Sequence, residues 1–599
     1  MVSDNLWVFS FEYAGIKKVG GLGEVPANQT KWLSNKYNIT LFMPSHGAHL
    51  NEDTATKLNL KQSELTLTTA LNALPYNLGD AKETIELGYY EGRINGVKTV
   101  LIAGKNQFSS KILEDPVVYA PDTVTGKFIL FSLAMKHYIK KVIETNPEDV
   151  PDIIHCHDHH AVPAMISVRQ QLNAADKDAA TVITIHLLTW PRKSLGFLWD
   201  CGVENNEMEL YIENGVRKVT VNELYEMCKS EQMKYPSLEK IGAVFSDIVT
   251  SVSENYLINN IINNLGGRLI STKSDFFWNG CDWDYKKMKS DANEKFAEEL
   301  KMLNNKHPYR RDILRKFILT KGLSELPARE PVVDSIKVKK FLSAELTEFP
   351  YRKDPDGSYS GKIESFPNDG PLIMMTGRLS KMKGIDTLLN AVPTVLKKHP
   401  KAKFVLFLIP SEFSLNELRD YLNMAGQFTE NVRILFGKVY SMFFPIHLSA
   451  DIYCCPSRWE PFGIIALEAM ISRVPVVTTR VGGLQESVID IRENPTDGTG
   501  LLTPVDAPYA LAQNLIDLIS VMEIARVNET ESVEENEIAK LLDKIINPVL
   551  RKLVSENHDY GVKIRNNCGR RVENTFRWKH VSKKLVDIYT KAKTMRPPR

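Results

Sequence analysis

Two glutamates, Glu460 and Glu468, stand in the E-x7-E spacing within PSRWEPFGIIALEAM (456–470). Pro461 suits the first position of a helix, where its missing N–H costs nothing, and Gly463 leaves backbone N–H groups open to a ligand. At 1.5 Å per residue Glu468 lies up to about 12 Å beyond Glu460. The two carboxylates therefore cannot hold one atom, but they can hold one long ligand, a sugar at Glu460 and a ribose at Glu468. The plain alternative is two surface glutamates on an amphipathic helix. The preceding buried strand, EPFG and the apolar IIALEAM argue against it.

Three other stretches carry charge or bare backbone. In TGRLSKMKGID (376–386), Arg378 and Lys383 straddle a strand-to-helix turn, where two cations can neutralise a departing diphosphate without a metal. A solvated basic turn is the alternative. KKVGGLGEVP (17–26) places Gly20, Gly21 and Gly23 beside Lys18 just before a helix. Glycines permit close backbone approach, and a helix N-terminus attracts phosphate. TRVGGLQE (479–486) supplies a second bare pair, Gly482 and Gly483.

IIHCHDHHAVPA (153–164) holds four histidines and one aspartate within six residues. That density invites a metal reading. Metal sites, however, usually draw oriented ligands from separate elements, and a strand sends successive side chains to opposite faces. His155 and His157 should then point away from Cys156 and Asp158. No metal and no cofactor are expected. DWD (282–284) is too short to establish a metal-binding D-x-D.

These motifs need elements to position them. Short apolar runs rich in Val, Ile and Thr recur at 6–13, 38–44, 97–104, 152–158, 180–186 and 247–253, with amphipathic stretches between them. This predicts a parallel sheet covered by helices. A second such series covers 371–380, 403–410, 432–437, 451–456 and 474–479. The fold class is α/β with two Rossmann-like doubly wound domains, and the motifs fall at strand-to-helix junctions, where open parallel sheets bind ligands. Two such domains facing each other would make a cleft. Between the two series, 285–370 is charged and rich in Pro, Gly, Asp and Ser over 348–370, and reads as a surface insertion. Residues 520–560 read as a second, helical insertion.

The chain has 599 residues, more than one domain's worth. With 75 basic against 73 acidic residues, the net charge is +2. That balance gives no reason to expect nucleic acid or an anionic membrane. Seven scattered cysteines without a CxxC pair read as reduced thiols. The apolar run LWVFSF is too short for a signal peptide, and no run is long enough to span a membrane.

KKVGGLGEVP resembles the K-x-G-G-L-G-D-V signature of bacterial and plant glycogen and starch synthases, with Glu24 in place of Asp. HCHDHH resembles their HxHDWH stretch, with His159 in place of Trp. WNGCDWD resembles their NGID segment, and TIHLL their TIHN, with Leu187 in place of Asn. The R-x-x-x-x-K-G and E-x7-E motifs match as well, and TFRWKHVSKKLVDIY (575–589) is similar to a last helix that returns to the first domain. The resemblance covers 1–283, 371–520 and 560–590. It implies the GT-B architecture: an acceptor-side domain over 1–285 rejoined by a helix over 572–599, a connector and insertion over 286–370, and a nucleotide-sugar domain over 371–571.

The activity it implies is transfer of glucose, with retention, from ADP-glucose, or UDP-glucose less favourably, to an α-1,4-glucan in the cytoplasm. Arg378, Lys383, Glu460 and His160 would be catalytic. Lys18, Gly20, Gly21, Glu24, Asp158, Asn279, Gly463, Glu468, Gly482 and Gly483 would bind substrates, and Tyr440 would stack on the base. The partners are the nucleotide-sugar donor and the glucan, with homo-oligomerisation left open. The alternatives are another retaining transferase of trehalose- or sucrose-synthase type, a glucan phosphorylase, whose pyridoxal-phosphate motifs are missing, and a non-catalytic glycan-binding regulator.

Overall fold

The computed structural model describes residues 3–230, 232–346, 351–353, 359–528 and 535–595. The chain divides into two compact units, Met1–Asn279 with Trp578–Arg599, and Gly280–Arg577.

The first unit is built on a nine-stranded sheet. Its strands are β1 (Asn5–Phe9), β2 (Asn38–Pro44), β3 (Lys61–Leu71), β4 (Glu83–Ile94), β5 (Val97–Gly104), β6 (Ile153–His157) and β7 (Ala180–Ile185). A separate hairpin, β8 (Glu207–Ile212) and β9 (Gly215–Thr220), precedes β10 (Ile248–Ser251) and β11 (Ser274–Phe276). The sheet order is β11-β10-β7-β6-β1-β2-β5-β4-β3, parallel except where β4 joins β5 and β3. The central strands are apolar on both faces, as a sheet covered by helices requires, and Trp7, Phe9, Phe42 and Phe131 pack edge-on or tilted in the core. The first strand ends at Phe9, short of the expected Tyr13. There the Ser10 hydroxyl donates to the Glu12 carbonyl and turns the chain. β3 and β4 escape the sequence pattern because they are antiparallel, and β3 alternates exposed and half-buried residues to its end.

The helix Trp578–Thr594 belongs to this unit. Its Tyr589 hydroxyl meets His155 Nδ1 at 2.7 Å, and Lys593 pairs with Asp4.

In the second unit, a short pair, β12 (Tyr351–Lys353) and β13 (Tyr359–Ile363), precedes a six-stranded parallel sheet. That sheet comprises β14 (Leu372–Arg378), β15 (Lys403–Ile409), β16 (Val432–Phe436), β17 (Ile452–Cys455), β18 (Val476–Thr479) and β19 (Gly500–Thr503). Its order, β16-β15-β14-β17-β18-β19, reverses between β14 and β17, which makes that pair the switch point of a doubly wound sheet.

The stretch 286–370, expected as connector and insertion, is in its described part built into the second unit. Arg315, on the helix Arg311–Thr320, is buried. It donates to Asp369 at 3.0 and 3.1 Å and to Asp451 at 2.7 Å, and Arg565 reaches the other oxygen of Asp451 at 3.0 Å. Ile363 and Phe366 are buried too. Residues 347–350 and 354–358 lie outside the described residues. The expected second insertion begins inside a continuous helix, Pro508–Asn528, with buried Ser520, Val521, Met522 and Ile524; its residues 529–534 also lie outside. All seven cysteines are buried and unbridged. No described helix is long and apolar enough to cross a membrane.

Candidate active site

In the first unit the predicted residues lie just past the carboxyl ends of β1, β6 and β11. After β1 the chain makes a tight loop, closed by Tyr13 N–H to the Lys17 carbonyl at 2.7 Å and Ala14 N–H to the Gly23 carbonyl at 2.8 Å. Gly23 is the glycine the packing demands, since a Cβ there would meet Lys18 Cβ at 2.7 Å. A Cβ on Gly20 would meet nothing within 4 Å, so that position opens onto space. Gly21 begins the single turn Gly21–Gly23, ahead of the helix Glu24–Leu33. Lys18 forms an ion pair with Glu24. The loop's amides are already engaged in part: Glu12 Oε2 accepts Val19 N–H at 2.6 Å and Gly20 N–H at 3.0 Å.

The histidine run begins within β6 and continues past its end. His155 and His157 share one face, with ring centroids 4.3 Å apart. His155 is held by Tyr589 and Thr184, and His157 Nδ1 meets His186 Nε2 at 2.9 Å. Among the described residues no three His, Cys, Asp or Glu side chains form a metal-holding group. Asp158 takes a left-handed backbone (φ 59°) and accepts His186 N–H at 2.6 Å and Leu187 N–H at 3.3 Å. Burial pushes its carboxyl well above the usual range. His160 is stacked between Phe11 and Tyr119, at 5.2 and 5.0 Å. Burial holds it neutral, with a pKa of about 3. Asn279, past β11, is 5% exposed, and its Oδ1 has no hydrogen-bond partner among the described residues.

The second unit gathers Arg378, Lys383 and Glu460 at the switch point, while Tyr440 follows β16 at the edge of the sheet. Arg378 is exposed at the end of β14. Lys383 closes the next turn and forms an ion pair with Glu460. Burial alone would lower the lysine's pKa, but the Glu460 carboxylate outweighs it and the net shift is upward. Gly384 (φ 62°) is required here, because a Cβ would strike the Pro456 carbonyl. Gly463 (φ 89°) opens the helix Ile464–Ile471. Gly482 and Gly483 press against the backbone of Glu460 and Phe462, and Gly483 donates to the Pro461 carbonyl at 3.1 Å. Their bareness thus serves loop-on-loop packing around Glu460. Glu468 is half-buried further along the helix; burial raises the pKa of Cys281 and Tyr453, and the Glu468 charge adds to both.

The starch synthase catalytic domain family matches residues 5–269, and glycosyl transferases group 1 matches 370–520. Glycogen synthase 2 of Geobacter sulfurreducens is 24% identical over 82% of this chain and 86% of its own.

Residues 5–269 thus carry a starch synthase catalytic domain, and the chain as a whole is similar to glycogen synthases. A probable glycogen synthase of Methanocaldococcus jannaschii is 32% identical, but over only 28% of this chain and 29% of its own length. The catalytic domain of starch synthase IV from Arabidopsis thaliana, solved with ADP and acarbose, shares the fold with a TM-score of 0.64 at 18% identity, covering 99% of this chain and 100% of that one.

Several residues that support the candidate site were not read from the sequence. Glu12 ties the glycine loop to the histidine run, because its Oε1 accepts the Tyr119 hydroxyl at 2.6 Å and Tyr119 stacks on His160. The FEYAG that leads out of β1 held the only hint of Glu12; Tyr119 is remote in sequence and left none. Arg458 fastens the Lys383 turn. Its guanidinium donates to Asp386 at 2.6 and 3.0 Å and to Asp506 at 2.7 Å, and its N–H reaches the Met382 carbonyl at 2.8 Å. Glu239, wholly buried, accepts Thr189 and Trp190 N–H, both at 2.9 Å, and lies 3.6 Å from His159 Nδ1. His159 therefore faces a buried carboxylate.

Proposed function

We propose that the protein extends α-1,4-glucans, transferring glucose with retention from a nucleotide-diphosphate glucose, ADP-glucose ahead of UDP-glucose, in the cytoplasm. The observation that carries this reading is the Lys383–Glu460 pair at the switch point of the second sheet, with Arg378 on the same strand end. A diphosphate arriving there competes with Glu460 for Lys383. Lys383 and Arg378 then face the phosphates, and Glu460 is released to accept hydrogen bonds from glucose hydroxyls. As the C1–O bond to phosphate breaks, the two cations stabilise the departing charge. The acceptor hydroxyl forms the new bond on the same face of C1 and gives its proton to the leaving phosphate oxygen. Glu460 holds the sugar and does not attack carbon. Gly463 and Glu468 are assigned to the donor, and Gly482 and Gly483 to keeping the Glu460 loop in place. In the first unit, His160 and Asn279 are the sugar contacts; neutral His160 offers a directional hydrogen bond without a competing charge. Asp158 orders the loop that follows β7, and Lys18, Gly20, Gly21 and Glu24 line the opening beside it.

Incubation with glycogen and radiolabelled ADP-glucose or UDP-glucose, with and without EDTA, tests this reading. Label should enter polymer in both conditions, faster from ADP-glucose. Label found in no polymer, or only in a soluble disaccharide, overturns the glucan assignment. A clear UDP preference overturns the donor order.

A further inference from the structure

The segment 326–346 lies outside both matched family ranges, yet it grips one loop of the second unit. That loop, Gly437–Ser441, follows β16 at the edge of the sheet. Val332 pairs with Lys438 in a two-bond antiparallel bridge, at 2.8 and 2.9 Å. Glu330, 8% exposed, turns its carboxylate on Ser441, accepting the N–H at 3.1 Å on each oxygen and the hydroxyl at 2.5 Å. Lys438 reaches Asp334 at 2.9 Å, and Lys295 donates to the Ser441 carbonyl at 3.0 Å. Gly437 (φ 130°) is bare because a Cβ would meet the Val332 carbonyl at 2.7 Å. Between these anchors Tyr440 is 65% exposed.

Covering the edge strand would account for the Val332 bridge alone. It does not account for a buried carboxylate spending both oxygens on the residue after an exposed tyrosine. Neighbouring strands lie about 4.8 Å apart, so β16 ends two strands, or roughly 10 Å, from the Arg378 end of β14. A diphosphate at Arg378 and Lys383 thus leaves its nucleoside to extend across β15 towards this loop.

We propose that segment 326–346 is a brace that sets nucleotide selectivity, with Glu330 as the positioning residue that holds Ser441 and so fixes the Tyr440 ring against the donor's base. The proposal rests on the glucosyltransferase reading above. Affinities of the full-length protein for ADP and UDP by calorimetry test it, together with KM and kcat for both donors. Glu330→Ala should weaken ADP about tenfold or more, the order expected for losing a charged hydrogen-bond partner. It should also bring the ADP and UDP affinities closer together and leave kcat within about twofold. Glu330→Gln, which keeps an acceptor oxygen, should recover most of the affinity. If Glu330→Ala does not fold, Ser441→Ala carries the same prediction with a smaller shift. Wild-type affinity and an unchanged ADP-to-UDP ratio in the folded variant overturn the brace and leave the proposed function standing. A wild-type protein that binds neither nucleotide overturns both. A loss confined to kcat also overturns the brace.

Discussion

At and just past the ends of β6 and β7 in the first unit the polar groups are buried and mostly neutral: His155, His157, His160 and His186 among aromatic rings and hydroxyls. Past the strand ends of the second unit they are charged and paired, Lys383 with Glu460 and Arg458 with Asp386 and Asp506. Both sets lie at the carboxyl ends of their strands. The first builds a wall of rings and imidazoles, suited to sugar faces and hydroxyls, and the second builds a charge store suited to phosphate.

Acid should break the comparison most sharply. Burial lowers the pKa of His155, His160 and His186 to about 3, and that of His157 and His159 well below normal. The unfolded chain therefore binds more protons below about pH 6.5, and stability falls as pH drops through that value. At pH 5 each of His155, His160 and His186 costs roughly 2 kcal/mol, and His157 and His159 act in the same direction. That is a sizeable share of the roughly 5–15 kcal/mol stability of a domain. Asp158, shifted upward, offsets part of this. In the second unit His399 and His447 are lowered to about 4. Burial would raise Asp451, but Arg315 and Arg565 outweigh it and hold its pKa down, so its contribution is lost only below about pH 4. Hydrogen exchange at pH 5 should show first-unit amides losing protection before second-unit amides; equal loss refutes the contrast.

Next in size come the paired charges. Lys383→Ala or Arg378→Ala should lower kcat by about 10²–10³, with glucan binding retained. Glu460→Gln should cost less, roughly 10- to 150-fold. The Lys383→Ala, Glu460→Gln double variant should fall short of the product of the two losses, because the groups are in contact. Multiplicative losses in single-turnover rates would mean that the pair does not work as a unit.

The smallest effect should come from the first unit's hydroxyl relay. Tyr119→Phe keeps the stack on His160 and deletes one bond to Glu12, so kcat/KM should fall only about fivefold. A loss as large as that of Lys383→Ala would place charge handling in the first unit and erase the distinction.

Local pattern made much of this legible. β2 and β5 were readable to the residue, because both are apolar runs with clear polar flanks. In the second unit Lys383 meets Glu460, and Gly482 and Gly483 pack beside it, because each follows a strand of one sheet; Glu468 lies further along the helix. What stayed hidden depends on distant partners. Glu12 finds Tyr119 across 107 positions, and Glu330 finds Ser441 across 111. Neither spacing has a local signature. The glycine pairs misled in part: Gly482 and Gly483 looked like ligand-facing backbone, and they are bare because another loop lies on them.

The buried, unbridged cysteines have a practical consequence. Burial raises every one of the seven thiols above its usual pKa, so hardly any thiolate exists near neutrality to meet an electrophile. The native fold should thus resist maleimides and mild oxidants. A single cysteine engineered at an exposed position such as Tyr509 can therefore take a fluorophore or spin label with no native cysteine removed.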